Sequence, residues 1–306
     1  MKNDVGIDKK LISPASPIPL PRKDAVEMPP SGLQQQRWNT KNLGLRLGAD
    51  LTSAACAASI VAPLIAIIDR SIMENASGRN TLGNSLRASL RTLLRRPHAV
   101  LVSKPVALVF MLYGGTYLTA NTLDTATATV RNAPAAGVTS GTAKFAASSA
   151  ANVGLCVYKD QVFVRMFGPP AAHRGPPRPV PLPSYLLFTL RDCLTIFASF
   201  NVPPVLGPYL DERVLGASLR SRVGGTTLAQ FVAPAAVQLL STPVHLLGLD
   251  LYNRPAGQAS WRDRWLQVRK NWAVSAAARI CRIVPAFGLG GTVNSKVRKN
   301  LMEKLA

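Results

Sequence analysis

Six apolar segments constrain the fold of this chain more than any other feature. Each holds between 20 and 29 residues, and an α-helix needs about 20 to cross the hydrocarbon layer of a bilayer. They are residues 43–68, 100–123, 139–167, 181–200, 226–249 and 272–293. The pattern predicts an all-α membrane protein with six transmembrane helices. A soluble, Ala-rich helical protein is the alternative.

The six segments differ from a simple membrane anchor in their content. All are rich in Ala, Gly, Ser or Thr, and most carry at least one charge. Small residues allow helices to pack closely in a bilayer. Charges inside such segments usually face a bundle interior or a watered cavity, because exposure to lipid is costly. We therefore expect a bundle lined with polar groups.

The overall charge agrees with a membrane protein that has basic loops. Lys and Arg number 36 against 15 Asp and Glu, for a formal net charge of +21. The mean hydropathy is nevertheless positive, at +0.14. Aromatic residues make up only 6% and no RNA-binding motif is present, so a nucleic-acid partner is not expected. The expected partner is the lipid bilayer.

The sequence offers no pattern typical of an enzyme. It contains no Gly-rich phosphate loop and no nucleophile elbow, and its Cys and His residues are too scattered for a metal site. We expect no catalytic residue, no metal and no cofactor. Residues 1–38, rich in Pro and charge, predict a disordered tail, and residues 39–306 predict the membrane domain.

Two loops between the apolar segments are basic and amphipathic. In the first, leucines recur every four residues from Leu82 to Leu94, with arginines on another face. In the second, Trp261, Trp265 and Trp272 form a stripe, and Ser260 with Asp263 fits a capping box. Both predict helices lying in the membrane interface. The positive-inside tendency places both loops on one side, as six spans allow.

A search for repeats divides the apolar region into three parts. They are residues 43–123, 139–203 and 224–300. The first and third parts place Pro63 and Pro243 near the end of an odd-numbered span, where proline predicts a helix kink, and Tyr158 takes that position in the second. The loop "GPPAAHRGPPRPVPLPS" of the middle part has seven prolines, which predict an extended connector in place of an amphipathic helix.

Three repeats of two helices with interfacial helices in the loops resemble the mitochondrial carrier family. The segments "TPVHLLGLD", "LRDCLTIF" and "CRIVPAF" carry the likeness, and "VAPLIAIIDRSIMENASGR" is similar to a fungal group of carrier-like proteins. The resemblance implies a mitochondrial-carrier-like bundle and solute exchange by alternating access. It also implies a mitochondrial membrane, the inner rather than the outer.

The resemblance further implies a gate of charged residues where the odd spans end. Its usual ring of acids and bases is incomplete in this chain, and a reduced network remains. The candidates are Asp69, Arg70, Asp160, Arg165, His245 and Asp250. His245 is either a titrating group of that gate or a packed histidine.

The even spans supply the candidate solute-binding residues. Arg191, Asp192 and Arg282 lie inside apolar spans, and Lys104 is the nearest base at the matching place in the second span. A central arginine needs water, a carboxylate or an anionic ligand. It therefore either binds an anionic solute or pairs internally, for example Arg191 with Asp192 or with Asp50.

Two functions follow from the sequence. The first is movement of an anionic or zwitterionic metabolite across the membrane by alternating access. The alternative is a non-transporting adaptor, scaffold or insertion factor with membrane-protein partners. That alternative is favoured by the incomplete gate and by the proline-rich loop.

Overall fold

The fold is built from helices throughout the part of the chain that the structure describes. A computed structural model describes residues 38–138, 140–169, 179–200, 202–214, 216, 224–255 and 257–305. Residues 1–37 of the predicted N-terminal tail and the centre of the proline-rich loop, residues 170–178, lie outside these ranges. The all-helical class predicted from the sequence is confirmed for the described residues.

The described helices follow in chain order. They are α1 (Leu43–Ala76), α2 (Leu82–Arg95), α3 (Pro97–Leu101), α4 (Lys104–Val130), α5 (Thr142–Phe167), α6 (Leu182–Phe200), α7 (Pro203–Arg213), α8 (Gly225–Ala236), α9 (Gln238–Asn253), α10 (Trp261–Cys281), a π-helical segment (Val284–Gly290) and α11 (Gly291–Glu303).

Three stretches in the described residues are long and apolar enough to cross a membrane. They are Leu43–Ala76, Lys104–Val130 and Phe231–Asn253. The helices predicted as the third and fourth spans, α5 and α6, carry paired charges that lower their apolar content. The sixth predicted span is interrupted after α10. The structure thus supports a helical membrane protein, and the six-span threefold repeat remains a prediction.

Helix α1 is the central element of the bundle. Its 34 residues extend about 51 Å at 1.5 Å per residue, and it packs against α4, α11, α2 and the π-helical segment. Ala54, Ala57, Ala58 and Ala62 are fully or almost fully buried on it. Their small side chains allow neighbouring helices to approach closely.

The interruption between α10 and α11 has a clear cause in the sequence. Pro285 has no N–H to donate to the carbonyl of Cys281, so the regular helix ladder cannot continue. The Tyr117 hydroxyl donates to the Ala286 carbonyl at 3.0 Å. A side chain of α4 thereby contacts the backbone of the π-helical segment. Short π-helical turns within α-helices are frequent at functional sites.

The two amphipathic helices form, with one difference from the prediction. Helix α2 begins at the predicted place and is capped by Thr81. Helix α10 begins with the capping box of Ser260 and Asp263, whose hydrogen bonds lower the pKa of Asp263. It is a single helix of 21 residues that continues into the sixth predicted span, because no Pro or Gly interrupts it.

Both amphipathic helices lie at the C-terminal end of α1. The Asn75 amide donates to Asn271 Oδ1 at 2.9 Å, and Asn75 Oδ1 accepts from the Leu82 backbone N–H. Asn75 thus joins α1 to α10 and to the start of α2. Leu86, Leu90 and Leu94 of α2 and the tryptophans of α10 remain exposed, as expected for helices at an interface.

The kinks predicted at Pro63 and Pro243 stay predictions. Both prolines lie inside helices that continue on either side, and the fifth span has a break at Val237, between α8 and α9. The Leu239 carbonyl, which would normally accept from residue 243, accepts from the Trp272 indole N–H at 2.9 Å. This contact replaces the hydrogen bond that Pro243 cannot make.

Candidate functional site

A central cavity of about 450 Å³ lies among α4, α5, α6 and the end of α10 with the π-helical segment and α11. Its deep end is lined by Tyr113, Cys156, Asp192 and Arg282. Cys156 and Asp192 are buried. This volume lies within the range of small-molecule sites in proteins.

The remaining wall of the cavity is rich in neutral hydrogen-bonding groups. These are the hydroxyls and amides of Thr116, Tyr117, Ser148, Ser149, Asn152, Thr195 and Ser199. At the end away from Arg282, the lining residues Gly141 and Ser295 are exposed. The Ser149 hydroxyl is buried and has no partner among the described residues. The wall can therefore bind a ligand that both donates and accepts hydrogen bonds.

A buried charge network closes the deep end of the cavity. Its members alternate in sign along a continuous chain of contacts. They are Arg282, Asp69, Lys159, Asp160, Arg191 and Asp192. Arg282 Nη1 lies 2.6 Å from Asp69 Oδ1, and Lys159 Nζ lies 2.5 Å from Asp69 Oδ2.

The second half of the charge network joins α5 to α6. Lys159 Nζ is 2.7 Å from Asp160 Oδ1, and Arg191 Nη1 is 2.6 Å from Asp160 Oδ2. Arg191 Nη2 then contacts both oxygens of Asp192 at 2.6 and 2.7 Å. All these side chains are at least nine-tenths buried, except Arg282, which faces the cavity. Buried charges persist in a fold only when paired in this way.

Two further side chains extend the charge network toward α9 and α10. His245 Nδ1 lies 3.0 Å from Arg191 Nη1. A guanidinium can only donate, so Nδ1 accepts and the imidazole is neutral. Arg279 Nε donates to Gln238 Oε1 at 2.9 Å. Helices α1, α5, α6, α9 and α10 thus meet through one polar cluster.

The structure brings together six of the residues predicted as binding or gate groups. They are Arg191, Asp192, Arg282, Asp160, Asp69 and His245. The internal pairing of Arg191 with Asp192 is present, and Asp192 and Arg282 also line the cavity. Lys159 and Arg279 were missed. Lys159 could have been found as the base next to Asp160 in the sequence. Arg279 could have been found because it lies three residues before Arg282, on the same face of a helix.

Four predicted residues lie apart from the charge network. Lys104 is exposed in the first turn of α4, and Arg165 is exposed near the end of α5. Arg70 pairs with Glu74 at 2.8 Å. Asp250 contacts Arg254 and lies 2.7 Å from Arg264 Nη1. These four lie at or near helix ends, where solvent or a neighbour on the same or the next helix is within reach.

A second polar layer joins α1, α4 and α11. Asp50 Oδ1 accepts from Arg298 Nε at 2.7 Å, and Asp50 Oδ2 accepts from Thr125 Oγ1 at 2.6 Å. Asn121 and Asn294 exchange two amide hydrogen bonds. Asp50 therefore pairs with Arg298, and the suggested pairing with Arg191 is wrong.

The two polar layers lie far apart along α1. Asp50 belongs to the second polar layer and Asp69 to the charge network, and a helix of that length between them spans about 28 Å. Asn294 of the second layer and Arg282 of the charge network both line the cavity. The cavity therefore extends from one layer to the other.

Metal ions are not expected at this site. Among the described residues, no group of three or more His, Cys, Asp or Glu side chains is placed to hold a metal. The acids of the charge network are instead occupied by Lys and Arg. The site thus presents both paired charges and neutral hydrogen-bonding groups to a bound molecule.

Comparison with known proteins corrects the family suggested by the sequence. Residues 53–302 match the model of a family described as "Probable citrulline exporter". This match overturns the resemblance to the mitochondrial carrier family and to its fungal group. No curated protein matches the chain. An exporter family is one of membrane transporters, which agrees with the transport role predicted from the sequence and not with an enzyme.

Proposed function

The chain belongs to the probable citrulline exporter family, and on that premise we propose that it exports a zwitterionic amino acid of the citrulline class. The solute binds in the central cavity and leaves by alternating access. No chemical step is needed. The expectation of an anionic or zwitterionic metabolite is thereby narrowed to the zwitterion.

The observation that carries the proposal is that Arg282 and Asp192 both line the deep end of the cavity. An α-amino acid presents a carboxylate and an ammonium group a few ångströms apart. The guanidinium of Arg282 suits the carboxylate, since planar N–H donors match carboxylate geometry. The Asp192 carboxylate suits the ammonium group. Arg282 contacts Asp69 through Nη1. Its Nε and Nη2 donors can therefore bind the carboxylate of the solute.

The neutral wall supports a neutral side chain on the solute. Citrulline ends in a ureido group, which is uncharged and both donates and accepts hydrogen bonds. The hydroxyl and amide groups of the cavity wall can satisfy it. The charged residue of that wall, Lys144, is paired with Asp124 at 2.6 Å. A cationic side chain would meet no free carboxylate in the described wall.

The proposal requires α5 and α6 to cross the membrane beside the more apolar helices. The four charges that these helices contribute to the charge network, two on each helix, are buried and paired within the bundle. On α6, Leu182, Leu186, Leu190 and Phe197 are all more than 45% exposed. These residues form an apolar outer surface suited to lipid. Average hydropathy understates such a helix, because its polar and apolar faces are separated.

Alternating access is supported by the two polar layers at opposite ends of the cavity. The charge network closes one end with ion pairs between α1, α5, α6 and Arg282. At the other end, the hydrogen bonds and the ion pair of the second polar layer join α1, α4 and α11. Repacking of one layer while the other holds would expose the solute to each side in turn.

Two earlier expectations receive no support in this proposal. The non-transporting adaptor was motivated by the proline-rich loop, whose centre lies outside the described residues, and the exporter family favours transport. The mitochondrial inner membrane followed from the carrier resemblance, which was wrong. The proposal therefore names a lipid bilayer as the setting and no organelle.

Uptake of labelled citrulline into liposomes containing the purified protein tests the proposal. Liposomes that contain wild-type protein and are loaded with unlabelled citrulline should exchange it for labelled citrulline from outside. Arg282→Ala and Asp192→Asn should each lower exchange about tenfold or more, because each removes a charge-assisted hydrogen bond. Arg262→Ala, at an exposed position on α10, is the control. Folded wild-type protein that exchanges none of the twenty standard amino acids or citrulline would overturn the proposal.

A further inference from the structure

A second, much smaller cavity lies directly beyond Arg282. This buried chamber has a volume of about 10 Å³, which is the size of one water-sized particle. Arg282 lines both this chamber and the central cavity. The polar groups around the chamber are Asp69, Lys159, Asp160, Arg191, His245, Arg279 and Arg282.

Two of the residues that line the chamber each carry a buried N–H donor that lacks a partner. Among the described residues, Arg191 Nε and Arg279 Nη2 have no hydrogen-bond acceptor. Arg191 is 1% exposed and Arg279 is 2% exposed, so solvent does not satisfy them. Buried donors in folded proteins are almost always paired. Asp160 also lines the chamber, and its Oδ1 makes no hydrogen bond, but that oxygen lies 2.7 Å from Lys159 Nζ in an ion pair. The two guanidiniums therefore have unmet donors beside a space for one small acceptor.

The charges around the chamber point to the nature of that acceptor. Lys159, Arg191 and Arg282 have carboxylate partners, whereas the recorded partner of Arg279 is the neutral amide of Gln238. Within the described cluster, four cations thus face three carboxylates, with Asp192 included, and His245 is neutral. A buried charge without a counter-charge is strongly unfavourable.

We propose that the buried chamber binds one monoatomic anion of the halide class, chloride being the physiological one. The anion accepts hydrogen bonds from Arg191 and Arg279 and balances the charge of the cluster. A single water molecule would fit the volume but would leave the charge unbalanced. A carboxylate or phosphate is too large for it. Chloride is slightly larger than water, and the flexible ends of Lys159 and Arg279 can adjust to it.

The proposal is independent of solute export, since it concerns a site outside the central cavity. The bound anion would lie on the side of Arg282 that faces away from the central cavity. With the anion present, Arg279 has its own counter-charge. Arg282 then stays in place as the wall between the chamber and the central cavity.

Thermal unfolding of the purified full-length chain in detergent, without amino acids, tests the anion site. Sodium chloride is titrated against sodium gluconate at constant ionic strength. Wild-type protein should show a rise in Tm of a few degrees that saturates with chloride and is reproduced by bromide, since a ligand of the folded state stabilises it. Equal Tm values across the titration would overturn the proposal.

Two variants separate a specific site from a general salt effect. Arg279→Leu removes the excess charge, so it should lose the chloride-dependent rise. Arg262→Leu, an exposed position on the same helix, should keep it. A rise retained in Arg279→Leu would also overturn the proposal.

A second measurement applies if Arg279→Leu does not fold. Wild-type crystals grown in bromide should show an anomalous difference peak in the chamber beside Arg279. An empty chamber at saturating bromide would contradict the proposal directly. Neither measurement depends on transport, so failure of the anion site and failure of citrulline export can be distinguished.

Discussion

Asp160 is a carboxylate that joins two cations at the middle of the charge network. It is fully buried and bridges Lys159 and Arg191, which are themselves 1% exposed. Through Arg191 it connects α5 to α6 and, by way of His245, to α9. In such a position one carboxylate holds two cations that have little access to water. Its removal leaves a charge imbalance that neighbouring side chains cannot correct.

Replacing Asp160 by Asn should therefore destabilise the protein by about 3–5 kcal/mol, the cost of breaking a buried ion pair by removing one partner. Unfolding of the purified protein in a denaturing detergent titration would measure this. The matched control is Glu303→Gln. Its ion pair with Lys299 spans 3.8 Å and is more than half exposed, so the change should be within about 1 kcal/mol. Similar losses in both variants would contradict the structural role assigned to Asp160.

At the scale of elements, the break between α10 and α11 contributes to the shape of the cavity. The π-helical segment lets Arg282 and Asn294 line the same cavity although they lie on either side of the break. The segment is held against α4 by the Tyr117 hydroxyl and approaches α1 at Gly290. Its last glycine is therefore a close-packing residue rather than a flexible joint.

Gly290→Ala should destabilise the protein by about 1–3 kcal/mol, the usual cost of overpacking. A Cβ at residue 290 would lie 2.5 Å from Tyr117 Oη and 3.0 Å from Val61 Cγ1. Gly291→Ala is the control, since a Cβ there meets nothing within 4 Å. Thermal unfolding of both variants should show a lower Tm for Gly290→Ala alone. Equal Tm values would show that the segment does not pack against α1 and α4 as described.

At the scale of the whole molecule, the sequence predicted the helical class and the interior position of the main charges. The interior position of Arg191, Asp192 and Arg282 could be predicted because a charge in an apolar span usually faces the inside of a bundle. The two amphipathic helices followed from residue spacing alone. The capping box at Ser260 and Asp263 also formed as predicted, since its signal is entirely local.

The contacts that depend on helix packing could not be predicted from the sequence. Lys159 and Asp69 come from different helices, and nothing in local spacing shows that α1 and α5 meet there. Lys104 was assigned by repeat register, but it lies in the first turn of α4, where a lysine side chain readily reaches solvent. The continuity of α10 from Trp261 to Cys281 was missed because the repeat suggested a boundary that no Pro or Gly enforces.

The central claim concerns the whole molecule as a transporter: a zwitterionic amino acid binds with its carboxylate at Arg282 and its ammonium group at Asp192. Isothermal titration of purified wild-type protein with citrulline, its methyl ester and its N-acetyl derivative tests this most directly. Each derivative removes one charge and keeps the ureido group. We predict that citrulline binds and that each derivative binds about tenfold or more weakly, the loss of a charge-assisted hydrogen bond. Equal affinity for all three compounds would contradict the claim.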